Sequence, residues 1–188
     1  MTLWYPEHLV LGKHLPRLGE SATALLSPDG VYRYALTRRW AAGRWCAFVM
    51  LNPSTADAFA DDATIRRCVG FAQRWGFAGL LVLNLFAVRS PDPRVMRAHP
   101  DPVGPANDVV IVSALLDPRA SDGNGVGRIV MAWGAHGGHQ GRDLAVARLL
   151  RGRGLTPQCL GRTAAGQPRH PLYLPAAAEP VEFAEVSS

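Results

Sequence analysis

The sequence predicts an α/β fold: a three-layer α/β/α sandwich with a mostly parallel central sheet and an added N-terminal β-hairpin. Three observations predict it. Residues 45–51, 80–83 and 128–133 are nearly continuous apolar runs, the composition of strands buried on both faces. Segments with helical spacing separate them, as right-handed crossovers between parallel strands require. Each run halts at a polar or glycine residue, Asn52, Asn84 or Gly134. In parallel sheets the carboxyl ends of the strands border the ligand crevice.

The elements follow in order. Residues 1–20 show no period and read as an N-terminal arm. Ser21-Ala-Thr-Ala-Leu-Leu and Val31-Tyr-Arg-Tyr-Ala-Leu-Thr flank Ser27-Pro-Asp-Gly30, a hairpin pattern. The first buried strand ends at Asn52-Pro53-Ser54. Asp61 or Asp62 then caps a helix to about Trp75, with Ile65, Cys68, Val69, Ala72 and Trp75 at helical spacing and Gly76 as its stop. The second strand ends at Asn84, and a proline-rich connection leads to a helix over 106–116. Residues 117–127 have loop composition. After the third strand, a helix over 140–153 turns Leu144, Ala147 and Leu150 inward, and residues 157–160 form a short fourth strand. The single domain spans 21–175, and the Ala/Glu-rich residues 176–188 are a loose tail.

With 188 residues, 48% hydrophobic and 19% charged, the chain has globular composition. No apolar run reaches the roughly 20 residues of a membrane helix. Residues 1–7 lack the basic start and apolar stretch of a secretory signal, so a cytoplasmic protein with no membrane partner is expected. Cys46, Cys68 and Cys159 are too few and too scattered for a disulfide framework, a four-Cys zinc ribbon or an iron–sulfur cluster. The net charge is +5, carried almost wholly by arginine, with Lys13 the single lysine. A basic body suits a polyanionic partner, and general arginine usage accounts for the same balance.

The strings Val49-Met-Leu-Asn-Pro-Ser-Thr-Ala-Asp57, Asp62-Ala-Thr-Ile-Arg-Arg-Cys68, Val82-Leu-Asn-Leu-Phe86, Ala132-Trp-Gly-Ala-His136 and Pro168-Arg-His-Pro-Leu-Tyr-Leu174 resemble a bacterial family known as domain of unknown function 1643, over about residues 30–175. More distantly, Leu51-Asn52-Pro53, Val82-Leu83-Asn84, Ala132-Trp133-Gly134 and Arg169-His170-Pro171 resemble, in order, motifs of the uracil-DNA glycosylase superfamily. That resemblance implies a uracil-DNA-glycosylase-like fold and a monomeric DNA glycosylase that needs no cofactor or metal, acting on double- or single-stranded DNA. Asn52 stands where the fastest uracil enzymes carry Asp, as in the mismatch-specific branch. The residues after Pro171, Leu172-Tyr173, depart from the Ser-Pro-Leu of the uracil enzymes.

The resemblance implies roles for residues of this sequence. Asn52 and His170 would be catalytic: Asn52 holds a water through its carbonyl oxygen, and His170 donates a hydrogen bond to the departing base. Asn84 would bind the base edge, with Phe59 or Phe86 as the stacking aromatic. Arg66, Arg67 and Arg169 would contact DNA phosphates, and Leu172 or Tyr173 would fill the gap left by a flipped base. Backbone amides around Gly134 and His136 would hold a phosphate. Each has a structural alternative: turn or cap formation for the Asn and Asp residues, solvated surface for the arginines, core for Leu172 and Tyr173. With Lys13 outside every motif, no amine is placed to form a Schiff base, so the glycosylase would be monofunctional. A non-catalytic nucleic-acid or nucleotide-binding module on the same fold is the alternative. A metal-dependent hydrolase using Asp57, Asp61, Asp62 and His136 is a third, and His136, His139 and Asp143 lack the spacing of a metal site.

Overall fold

The computed structural model describes residues 4–17 and 19–183. Its strands are β1 (Val10–His14), β2 (Ser21–Leu26), β3 (Arg33–Arg39), β4 (Trp45–Met50), β5 (Gly79–Asn84), β6 (Val126–Met131), β7 (Gln158–Cys159) and β8 (Val181–Glu182). The helices are α1 (Ala63–Arg74), α2 (Pro93–Ala98), α3 (Asn107–Leu116) and α4 (Arg142–Arg151). Together the strands form one mixed α/β sheet in the order β1-β2-β3-β5-β4-β6-β7-β8.

Parallel pairing is confined to the middle, where β4 pairs with β5 and β6, and β6 with β7. The other four pairings are antiparallel. The expected mostly parallel sheet is therefore corrected to a mixed one in which antiparallel pairings are the more numerous. The cause is chain length. Residues 40–44 are too short for the crossover a parallel connection needs, so β3 runs opposite to β4 and docks on its neighbour β5. The β2–β3 hairpin forms as expected and extends the sheet itself.

Two segments carry more structure than their composition indicates. Residues 10–14, expected within an irregular arm, form edge strand β1 against β2. Residues 181–182, in the expected loose tail, pair with β7, and Phe183 is buried beside them. Each is a short strand fixed by a partner distant in sequence, which local periodicity does not reveal.

The strand faces explain the two cores. Cys46, Phe48 and Met50 of β4 pack with Ile65, Cys68, Phe71 and Ala72 of α1. Trp45, Ala47 and Val49 point the other way, onto Val110 and Ile111 of α3 and Val146, Ala147 and Leu150 of α4. Burying each such side chain contributes roughly 1.5–3 kcal/mol, so β4, buried along its whole length, anchors both layers. Cys46, Cys68 and Cys159 are free and buried within these cores.

α1 begins where predicted. The Asp62 side chain accepts from the Ile65 N–H at 2.8 Å, which makes Asp62 the cap, while Asp61 pairs with Arg38. Gly76 takes φ +77°, the left-handed conformation that ends a helix. α4 starts at Arg142 because Gln140 and Gly141 are left-handed, and Val146 fills the inward place expected of Leu144, which is exposed. Among the described residues no helix is long and apolar enough to cross a membrane.

Trp45 lies across Gly79, its cross-strand partner, so closely that an added Cβ would stand 2.5 Å from the ring. Gly79→Ala is expected to destabilise the fold by about 1–3 kcal/mol through overpacking, read as a lower urea midpoint with an unchanged m-value.

Candidate functional site

The ends of β4, β5 and β6 and the loop before residue 174 enclose a cavity of about 650 Å³. Asn52, Asn84, Gly134, His136, Arg169 and His170 all line it, as do Leu172 and Tyr173. Backbone bonds continue past the strand ends, from the Leu85 N–H to the Met50 carbonyl (2.8 Å) and from Phe86 to Leu51 (3.0 Å). They keep the two asparagine-bearing ends level.

The amide nitrogen of Asn52 donates to the carbonyls of Ser90 (2.9 Å) and Pro53 (3.0 Å). This fixes the side chain and leaves its Oδ1 as the acceptor on offer. Asn84 is 1% exposed, and its Nδ2 has no hydrogen-bond partner. The backbone beneath it is held firmly: Asn107 donates to the carbonyls of Asn84 (3.1 Å) and Leu85 (3.0 Å), and Arg142 adds a bond to Leu85 at 2.8 Å. An unsatisfied buried donor costs about 1–3 kcal/mol, so an acceptor entering this cavity at Asn84 relieves that cost.

The opposite wall is the loop carrying His170. The Gly134 N–H donates to the Pro168 carbonyl at 2.9 Å. Trp133 Nε1 donates to Gln167 Oε1 (2.6 Å), and Gln167 Nε2 donates to Asp143 Oδ2 (2.6 Å). One glutamine thus ties the loop both to the end of β6 and to the start of α4. His170 opens a single 3-10 turn, Pro171–Tyr173, and its Nδ1 accepts from the Leu172 N–H at 3.4 Å. In the neutral ring that arrangement assigns the proton to Nε2, a hydrogen-bond donor. Burial lowers the His170 pKa below its ordinary value, and the carboxylate of Asp62 offsets part of the effect.

Two further residues, Arg33 and Gln167, escaped sequence reasoning. Arg33 lines the cavity from β3 and is 2% exposed. Its Nη1 donates to the Ala56 carbonyl at 2.6 Å, its Nε has no partner, and burial pushes the guanidinium down to about 10. The signal available was an arginine in a strand otherwise fit for burial. Asp62, treated above as a cap and as a carboxylate of the hydrolase alternative, lines the cavity. Gln167 stands in a loop with no periodic pattern and carried no signal.

Other singled-out residues stand elsewhere. Phe59 is 73% exposed and packs near His14, and Phe86 is fully buried in the core beside His139. Neither lines the cavity. Arg66 is exposed and donates to the Asp61 carbonyl at 2.6 Å. Arg67 donates to the Leu174 carbonyl and lies over the Phe71 ring at 5.0 Å, so it fastens the C-terminal segment to α1. Residues 134–141 form two single 3-10 turns, with Gly134 in the left-handed region. They are not the start of a long helix. Asp57 is engaged in a turn, accepting from the Phe59 and Ala60 N–H groups, which lowers its pKa. Among the described residues no three His, Cys, Asp or Glu side chains are grouped to hold a metal ion.

The chain belongs to the family described as protein of unknown function (DUF1643), which it matches over residues 33–172. That span contains every side chain named above as lining the cavity except Tyr173. Neither the curated proteins nor the solved structures contain a match.

Two measurements check this geometry. Gln167→Leu leaves Trp133 Nε1 and Asp143 without their shared partner and is expected to cost about 1–3 kcal/mol, with amide exchange rising over residues 161–170. For His170 the folded pKa lies below the unfolded one, so its contribution to stability is whole above about pH 6.5 and is lost as pH falls below it. His170→Gln is therefore expected to flatten the stability profile on the acid side of that value, as read from melting curves across pH.

Proposed function

We propose that this protein is a monofunctional DNA glycosylase-like enzyme on a three-layer fold of the uracil-DNA glycosylase kind, excising a damaged or modified base by hydrolysis of its N-glycosidic bond. The observation that carries the reading is the convergence of Asn52, Asn84, Gly134 and His170, from four separate segments, on one cavity. Its volume, about 650 Å³, lies in the range of small-molecule sites.

In this reading a base leaves the DNA stack and enters the cavity. The C1′–N bond breaks, the bonding pair goes to the base, and the oxygen of a water bonds to C1′. Asn52 Oδ1 holds that water but takes no proton, because an amide is not a general base. Once the C1′–N bond has broken, the water that bonds to C1′ gives up its proton to the departing base anion, and the rate rests mainly on stabilising that anion. His170 supplies a neutral Nε2–H to the base oxygen where negative charge accumulates. Asn84 Nδ2, a donor with no partner in the protein, meets an acceptor on the base edge. Tyr173, 80% exposed beside His170 with ring centres 5.7 Å apart, or Leu172 fills the gap in the duplex. Arg169, exposed at the same wall, meets a phosphate.

The absence of Lys13 from the cavity lining supports a product with an intact strand and an abasic site. One observation favours the second reading, a nucleic-acid or nucleotide-binding module without catalysis. Asp62, the carboxylate lining the cavity, caps α1 with Oδ1 and leaves hydrolysis without an evident base.

The experiment is a panel of oligonucleotides carrying uracil, hypoxanthine, xanthine or modified pyrimidines, followed by chemical cleavage of abasic sites. The protein is expected to release one of these bases. His170→Ala is expected to lower the single-turnover rate by about 10²–10³ while DNA affinity changes little. Binding without release from any substrate selects the second reading. A folded His170→Ala chain working at the wild-type rate removes the mechanism.

A further inference from the structure

Arg33 is a charged group of the cavity lining that the glycosylase reading does not use. It rises from β3 into the cavity floor and is 2% exposed. Among the described residues it forms no salt bridge, and of its five N–H donors only Nη1 is bonded, to the Ala56 carbonyl. A buried cation without a bonded counter-ion is costly. The charges that act on it do not supply one. Asp62, first among the charges, and Asp57 favour its charged form, while Arg89 and Arg38 oppose it, and neither carboxylate forms an ion pair with the guanidinium. Asp62 caps α1 with one carboxylate oxygen, Oδ1.

A second donor stands in the same cavity. Asn84 is 1% exposed with an unpartnered Nδ2 and reaches the lining from β5, the strand that pairs with β3. Arg169 adds another cation at the wall. Fixed donors at a cavity floor, one charged and one neutral, are complementary to an oxygen anion, and charge-assisted bonds of this kind are about twice as strong as neutral ones.

We propose that the cavity is a binding site for a small ligand carrying an oxyanion, a carboxylate or phosphate, which Arg33 pairs with at the floor and to which Asn84 adds a hydrogen bond. The site does not rest on the glycosylase reading: a chain without hydrolytic activity would hold the same anion. Carboxylate on a ring and phosphate on a sugar are two sources of one chemistry, and paired ligands separate them.

The test is calorimetry on the full chain at constant ionic strength, comparing orotate with uracil, uridine monophosphate with uridine, and inorganic phosphate alone. At least one anionic ligand is expected to bind about tenfold or more tightly than its neutral counterpart, and the pair that shows it identifies the source. Phosphate binding alone identifies the anion as the whole determinant. Arg33→Met is expected to abolish the preference and Arg33→Lys to keep part of it, since lysine retains the charge but not the fork. Equal binding of neutral and anionic partners, a preference that survives in folded Arg33→Met, or no binding of any anion at millimolar concentration each overturns the proposal. Should Arg33→Met not fold, the wild-type comparison and Arg33→Lys decide. Failure of the oligonucleotide assay with an anion preference intact would count against the glycosylase chemistry and leave this site standing.

Discussion

The parallel pairing of β4 with both its neighbours is the constraint on which the site depends. The register Met50 with Asn84 on one side and Val49 with Met131 on the other brings three strands to their ends at one level. The residues at or just past those ends, Asn52, Asn84 and Gly134, then share a rim. Because consecutive crossovers leave toward α1 on one face and α3 on the other, the chain parts above β4 and β5, and the cavity occupies the parting.

Much of this was legible in the residues because the signals were local. The apolar runs of β4 and β5 mark strands buried on both faces, and the polar residue closing each run marks the rim. Asp62 and Gly76 bracket α1 within two residues of its bounds, since capping and left-handed turns are properties of single positions. Strand direction was not local. Whether β3 lies beside β4 or β5 depends on where the following crossover places β5, and no periodicity in 33–39 records that. The aromatic assignments show the same limit. Phe86 follows Asn84 closely in sequence yet turns into the core, whereas Trp133 and Tyr173 stand at the cavity.

Arg33 shows how function and stability part within one strand. Tyr34, Ala35 and Leu36 next to it are all buried, and an apolar residue at 33 would fit the same surroundings without the cost of desolvating a charge. Gln167 illustrates the opposite case: a polar residue whose two amide atoms are both satisfied, joining β6, α4 and the loop of His170 in one network. Such a network rigidifies when complete. The cavity thus has one wall held by saturated bonds and a floor with donors left open.

The segment that carries β8 links the edge of the sheet to the cavity wall. Phe183 packs edge-on against Trp133 at 5.7 Å, Arg162 covers its ring at 4.8 Å, and its carbonyl accepts from Arg151 at 3.0 Å. Trp133 is the same side chain that anchors Gln167 and lines the site. Phe183 is therefore a buttress that comes later in the chain than every residue lining the pocket, so that a chain emerging from the ribosome carries the whole lining before the side chain that packs against Trp133.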